Sequence, residues 1–334
     1  MNEERKASRV MTQVQLARKL GLDRSSVSLA LSNSDKIPAE TRRLVLEAAQ
    51  KYNYRPNLAA RQLRLAKSST LGLVLPDTFQ SLSEPVVVKT IQALAKQAAR
   101  KEMTFSIYSF ASLLEGEDAG ALMPLPDGLF LWGEVPAGTW KGRLPDGYPV
   151  LVLDPNHLSY AQDPTPSVRP DNAGGAAAMV RHLSERGAKR LLFVMGSEEH
   201  LGHVARWKGA HAEWVRRMPR ASITCLPLAK VTDAVLREFS ASPDGAIFCS
   251  SDQCGFAIWR RLHEMGIAMP ADVKLAGFDN SPTAQLIELT SAVFDCERLA
   301  HSALDLMLKM IAGKMAAGSD HPLIPVTIQK GCTT

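Results

Sequence analysis

Several things are scarce in this chain, and each scarcity excludes something. No run approaches the ~20 consecutive apolar residues of a membrane-spanning helix. The opening MNEERKASR is charged and leads into no apolar stretch of the secretory kind. A cytoplasmic protein without membrane contact is expected. Cysteine is rare: Cys225, Cys249, Cys254, Cys296 and Cys332 are odd in number and form no C-x-x-C pair. They read as reduced, mostly buried thiols, and their scatter argues against a zinc site. Neither a metal nor a cofactor is expected. Walker A, G-x-S-x-G and strand-linked G-x-G-x-x-G sequences are all missing. A pair such as Asp252 and Asp279 could in principle do acid/base work, yet nothing identifies a nucleophile, so the expectation is a protein that is not an enzyme.

What is present is a lopsided charge. The 334 residues are enough for two or three domains, and the apolar share of 46% and charged share of 22% are those of an ordinary globular protein. Residues 1–67 carry 14 Lys and Arg against 6 Asp and Glu, whereas the remainder carries 25 against 28. A basic head on a slightly acidic body suggests a polyanion-binding module joined to something else.

The head is periodic enough to fold. Thr12 precedes a helical pattern, and Gln15 completes a capping-box spacing. Leu16, Ala17 and Leu20 share one face, and Gly21 can end the helix in a left-handed conformation. Asp23 can cap a second helix whose Val27, Ala30 and Leu31 turn inward. The spacing Ala17, Gly21, Val27 is that of a helix-turn-helix, whose second helix enters the major groove by its N-terminal end. An ordinary helical hairpin shares the apolar spacing but gives no reason to place Arg24, Ser25, Ser26 and Ser28 on the outward turn. A third helix is expected from Pro38 to Tyr52, with Leu44, Val45, Ala48 and Ala49 as its core stripe. Pro56 stops it. NLAARQL can then form one or two helical turns, marginal alone in water, with Ala59, Ala60 and Leu63 beside Arg61 and Arg64. That face suits a minor-groove wedge, or else a plain linker.

Beyond Thr70 the texture changes. TLGLVLP, TFSIYSF, DGLFLW, YPVLVLD, DGAIFCSS and VKLAGFD read as strands, and PVVVKTIQALAKQAARKEM, NAGGAAAMVRHL and DQCGFAIWRRLHEMG as helices. The alternation implies βαβ units and parallel sheets with binding groups at strand ends. The fold class expected is therefore α/β: an all-α head followed by a two-lobed parallel-sheet body with a cleft between the lobes. Asp154 and Asp279 end strands there and can accept paired hydroxyl hydrogen bonds. Arg206 can donate a fork to oxygens, or pair with Asp279 structurally. Ser251 and Asp252 open a helix, where Asp252 is either a cap or a ligand contact. Phe79, Trp132 and Phe256 could offer flat apolar platforms or be core.

The stretch TQVQLARKLGLDRSSVSLALSN…IPAETRRLVLEAAQKYNYRPNLAARQL resembles the DNA-binding head of the lactose/galactose repressor (LacI/GalR) family. The order of DGLFLW, PVLVLD, VRPDNAGGAAAMVRHL, RWKG, FCSSDQCGFAIWRRL and MPADVKLAGFD resembles the effector-binding body of the same family, itself like periplasmic sugar-binding proteins. The resemblance implies a homodimer on double-stranded, pseudo-palindromic operator DNA and a small-molecule effector, a sugar or derivative. It implies base contacts from Arg24, Ser25 and Leu29, and phosphate contacts from Thr12, Ser26, Ser28, Tyr54 and Asn57. Ala60 and Leu63 would enter the minor groove. The implied boundaries are a head at 10–55, a hinge at 56–67 and a body at 68–334, with lobe one at about 68–167 plus 297–324 and lobe two at about 168–293 plus 325–334. Departures matter: Leu29 stands where Arg, a guanine reader, is frequent, and Ser251 where Asn is usual. Either effector sign is open, and a purine or another metabolite is an alternative to a sugar. A receptor without DNA function would explain the body but not the basic head.

Overall fold

The computed structural model describes residues 11–31, 36–52, 69–76, 81–114, 125–314 and 322–334. Tyr54, Asn57, Ala60, Leu63 and Phe79 lie outside the described residues, as does the expected hinge. The chain divides into two units, Met1–Ser68 and Ser69–Thr334.

In the first unit, α1 (Gln13–Leu20) opens with the reciprocal cap that its sequence predicts. The Gln15 N–H donates to the Thr12 hydroxyl at 3.3 Å and the Thr12 N–H to the Gln15 side-chain oxygen at 2.8 Å. Gly21 closes the helix at φ 66, a conformation a side chain would oppose, and its N–H reaches back to the Ala17 and Arg18 carbonyls. Helix α2 (Arg24–Leu31) starts on Asp23, whose Oδ1 accepts the Ser26 N–H at 2.8 Å. Helix α3 (Ala39–Lys51) completes the unit. Leu16, Ala17, Val27, Ala30, Ile37, Val45 and Ala48 form its buried core. Leu44 departs from the expected stripe: it is 47% exposed. The inward direction of α3 is fixed by Val45 and Ala48, three apart, and Leu44 lies one 100° step off that line.

The second unit starts with β1 (Thr70–Leu75), α4 (Pro85–Arg100), β2 (Thr104–Ser109), α5 (Phe110–Leu114), β3 (Gly128–Trp132), β4 (Val150–Leu153) and β5 (Ser167–Pro170). It continues through α6 (Asn172–Glu185), β6 (Arg190–Met195), α7 (Leu201–Arg217), β7 (Ser222–Pro227), α8 (Asp233–Ser240), β8 (Gly245–Cys249), α9 (Asp252–Glu264), β9 (Lys274–Phe278), α10 (Pro282–Leu286) and β10 (Thr290–Phe294). Helix α11 (Cys296–Ile311), β11 (Leu323–Ile324) and β12 (Val326–Gln329) finish it.

Two sheets result, in the orders β11-β5-β4-β3-β1-β2 and β12-β10-β9-β8-β6-β7. All pairings are parallel except β10 with β12. Strands β3, β4, β8 and β9 are buried throughout, which is why they read as unbroken apolar runs. The boundary expected at 167/168 falls inside β5. That strand pairs with β4 and β11 through Pro170, so it belongs wholly to the first lobe. Helix α11 returns to the first lobe, where Leu299, Ala303 and Met307 share a core with Val87 and Leu94 of α4. The cysteines are less buried than expected: Cys249 and Cys254 are buried, Cys225 and Cys296 intermediate, and Cys332 exposed.

Candidate functional site

Two surfaces carry chemistry, one in each unit. On the head, Arg24 and Ser25 are exposed in the first turn of α2, while Ser26 and Ser28 are partly covered. The Asp23 carboxylate accepts hydroxyl hydrogen bonds from Ser25 and Ser26. These bonds hold it far below the usual carboxylate range, so it stays ionised. Leu29 is half-buried and packs against the head core, so only part of its side chain is available for an outside contact. Thr12, also exposed, uses its hydroxyl oxygen as the cap of α1.

In the body, a cavity of about 510 Å³ lies between the two sheets at the C-terminal ends of their strands. Its floor is Arg206 on α7. Gly209, one turn on, lets α7 lie against the backbone of Ala173 at the start of α6, where a Cβ would collide with the Ala173 carbonyl. That approach puts the Arg206 Nε 2.8 Å from the Asn172 Oδ1. Its Nη1 donates to the Ser250 carbonyl at 2.6 Å, its Nη2 lies 3.2 Å from the Asp279 Oδ1, and Phe278 lies 3.6 Å beneath the guanidinium. One N–H on each terminal nitrogen is left for a ligand.

Among the described residues, Arg206 is the one Lys or Arg lining the cavity, and five carboxylates stand around it: Glu84, Glu134, Asp154, Asp252 and Asp279. Burial pushes Asp279 up to about 7 against the pull of Arg206, and Asp252, Asp154 and Glu84 add to the rise. Burial likewise lifts Asp252 to about 6. Asp154 rises for the same reason, with Arg206 and Asn156 opposing. Glu84 rises through burial and the charges of Glu134 and Asp154, and Glu134 through burial and Asp154.

Two histidines share the wall. The rings of His200 and His203 stack with centroids 4.1 Å apart. Each Nδ1 accepts a backbone N–H, from His203 and Ser197 respectively, so the neutral rings carry their protons on Nε2. Burial depresses His200 to about 4 and His203 to about 2, with Arg206 lowering both. Neither adds positive charge near neutrality.

Trp132, Asp154, Arg206, Ser251, Asp252 and Asp279, expected from the sequence, all line this one cavity, as does Phe256. Two roles differ from expectation. The cap of α9 is Ser251, whose hydroxyl accepts the Cys254 N–H, not Asp252. Asp252 is instead a buried tie, accepting from the Ser281 N–H at 2.6 Å and the Ser291 hydroxyl at 2.7 Å. The possible Arg206–Asp279 ion pair is present, and both residues still face the cavity. Glu84, Glu134, Asn156, His200, His203 and Phe294 were not singled out from sequence. Glu134 and Asn156 follow β3 and β4 by two and three residues, so the strand-end rule that picked out Asp154 could have found them. The histidines sit at the start of a helix that carries no such mark.

Residues 180–334 match the family model described as a periplasmic binding protein-like domain. The chain is 26% identical over 305 residues to the HTH-type transcriptional regulator CelR of Thermobifida fusca, covering 88% of this chain and 90% of that one. Its fold is like that of the lac repressor dimer bound to operator and the anti-inducer ONPF, with TM-score 0.72, 20% identity and coverage of 97% and 99%. It is also like a CelR–cellobiose complex, with TM-score 0.66, 22% identity and coverage of 97% and 100%.

Proposed function

We propose that this chain is a member of the lactose/galactose repressor family of transcriptional regulators, that it binds operator DNA through α2, and that it answers to a small-molecule effector held around Arg206. The observation that carries the reading is the division of α2: Val27 and Ala30 are fully buried while Arg24 and Ser25 are exposed on its first turn. That turn would present Arg24 and Ser25 to base edges, with Leu29 a lesser contact because the head core holds half of it. Thr12, Ser26 and Ser28 would hold phosphates, together with Tyr54 and Asn57, and residues 56–67 would form the hinge with Ala60 and Leu63 in the minor groove. The relatives' names include an operator, a dimer and cellobiose. By analogy this chain acts in the cytoplasm as a homodimeric repressor with a sugar effector. It works by binding, not turnover, a reading supported by relatives that are transcriptional regulators and by Asp252 being committed to Ser281 and Ser291. Among the described residues no helix is long and apolar enough to cross a membrane.

Effector binding across the two lobes would couple to DNA affinity with a free energy of about 1–3 kcal/mol. Footprinting of the chain on the DNA flanking its own gene, with and without a sugar panel, tests the reading. Protection should lapse or strengthen with one sugar. The affinity should drop about 10³-fold between 50 and 200 mM salt for a protein contacting six phosphates. Salt-insensitive association, or no protection, would remove DNA from the account.

A further inference from the structure

Resting on the reading of this cavity as the effector site, we infer that the effector is a polyol carrying a primary amine, of the amino-sugar class, with its ammonium group seated against Glu84, Glu134 and Asp154. The cavity is rich in unspent acceptors. Among the described residues, the carboxylates of Glu84 and Glu134 form no hydrogen bond or ion pair, although Glu84 sits at the N-cap position of α4 where such a bond could form. Asn156, 5% exposed, lines the same wall; its amide donates to Asp154 at 3.3 Å and its Oδ1 has no partner. Three carboxylates therefore converge on the first-lobe side, while the orphan Asn156 oxygen is buried behind them, close to Gly202.

The cations within reach are already engaged or distant. Arg206 is tied to Asn172, Ser250 and Asp279 on the opposite floor. Arg169 acts on Asp154 only through space. Lys89 and Lys96 line a neighbouring hollow with Glu297, which Lys96 contacts at 2.7 Å. The two histidines are neutral donors. A neutral sugar would satisfy some acceptors through its hydroxyls but leave the like charges of Glu84, Glu134 and Asp154 facing one another. An ammonium group supplies three donors and the missing charge together. Burial raises the proton affinity of all three carboxylates, and neighbouring carboxylate charge adds to the rise at Glu84 and Glu134, in keeping with a wall built to receive a cation. Phe256, 36% exposed, gives the same cavity an apolar ring for a pyranose face, whereas Trp132 and Phe294 are nearly buried behind it.

The test is calorimetric titration of the full chain with pairs of probes differing at one group: glucosamine against glucose and against N-acetylglucosamine, and β-1,4-linked diglucosamine against cellobiose. At neutral pH and low salt the amine of each pair should bind at least about tenfold more tightly, as one charge-assisted hydrogen bond provides. Glu134→Gln and, on a separate element, Glu84→Gln should each cut that ratio by about threefold or more. Either variant suffices should the other fail to fold. Preference for the hydroxyl or acetyl partner, equal affinities, a ratio unmoved in both variants, or binding by none of the probes overturns the inference. The underlying reading is tested separately. A neutral sugar that binds the cavity and alters the footprint would keep the effector site while sinking the amine. An amine that binds with the stated preference but leaves the footprint unaltered would keep the amine site and sink its regulatory role.

Discussion

Arg206 and Asp279 meet at 3.2 Å across the cavity floor, but the two partners are not equals: their side chains are 4% and 25% exposed. Arg206 holds Asn172, the Ser250 carbonyl and the ring of Phe278 as well, while Asp279 is pushed to about 7 and is part-protonated near neutrality. Arg206→Met should therefore cost about 3–5 kcal/mol, because it orphans buried acceptors together with a carboxylate. Asp279→Asn should cost only about 1 kcal/mol, the worth of one ordinary hydrogen bond. Urea denaturation of the two variants compares them. Were Asp279→Asn the more damaging, the carboxylate and not the guanidinium would be organising the floor. Both should weaken the effector.

The same cavity sets opposing pH dependences. Asp279 and Asp252 have folded pKa values of about 7 and about 6, above the ordinary carboxylate value of 3.8. Their contribution is complete at low pH and is lost as pH rises through 6 to 7. His200 and His203 have folded values of about 4 and about 2, below the ordinary 6.5. Their contribution is complete above 6.5 and is lost as pH falls toward 4. As pH falls from 7 to 4 the folded protein gains protons on the carboxylates, Asp154, Glu84 and Glu134 included, while the unfolded chain gains them on the imidazoles, so the two sets pull stability in opposite directions. Substitution unbalances this. Asp279→Asn should lower the melting temperature as pH drops from 6.5 to 4.5. His203→Gln should lower it as pH rises from 5 to 7.5. Parallel profiles for the two variants would contradict the assignment.

Asp23 offers a test on the head. Its carboxylate accepts the Ser26 N–H, and the Ser25 and Ser26 hydroxyls turn to it. Asp23→Ala should cost about 1 kcal/mol of head stability and Asp23→Ser should recover most of it, as expected for an N-cap. The loss would be read from the first phase of thermal unfolding. If Asp23→Ala melts no earlier, the start of α2 is held by its packing and not by its cap. Since Ser25 donates to Asp23 in the free protein, the same substitution releases its hydroxyl, and DNA affinity reports whether that hydroxyl matters.

How far these features were legible depends on whether they are local. The caps at Thr12 and Asp23 and the Gly21 turn depend on residues three or four apart, and their spacing is visible in the sequence. Strands β3, β4, β8 and β9 are buried on both faces, so their apolar runs marked them, and the residues just beyond, Asp154 and Asp279, came with them. Strand β7 was not recognised because SITCLP is partly exposed and breaks its run with polar residues. The two-residue strand β11 leaves no pattern at all. Leu44 was misplaced because a helix read alone does not reveal which of two adjacent apolar lines its neighbours cover. The acidic wall was hidden for a further reason. Glu84, Glu134 and Asp154 come from three separate strand-to-helix and strand-end loops, and only the parallel order β4-β3-β1 brings those loops side by side.

Base recognition gives the last test, and it follows from the exposure of the first turn of α2. Arg24 is exposed there and can meet guanine with two parallel hydrogen bonds; Leu29, half-buried in the head core, can touch at most a thymine methyl. Arg24→Ala should relax discrimination at one base pair of each half-site by about 1–3 kcal/mol while binding at the other positions keeps its order. Ser28→Ala, removing the proposed phosphate contact, should weaken all sequences about equally. Binding of the wild type and both variants to operators altered one pair at a time separates the patterns. A guanine contact that persists in Arg24→Ala would have to come from another residue, and Leu29 has no donor with which to make it.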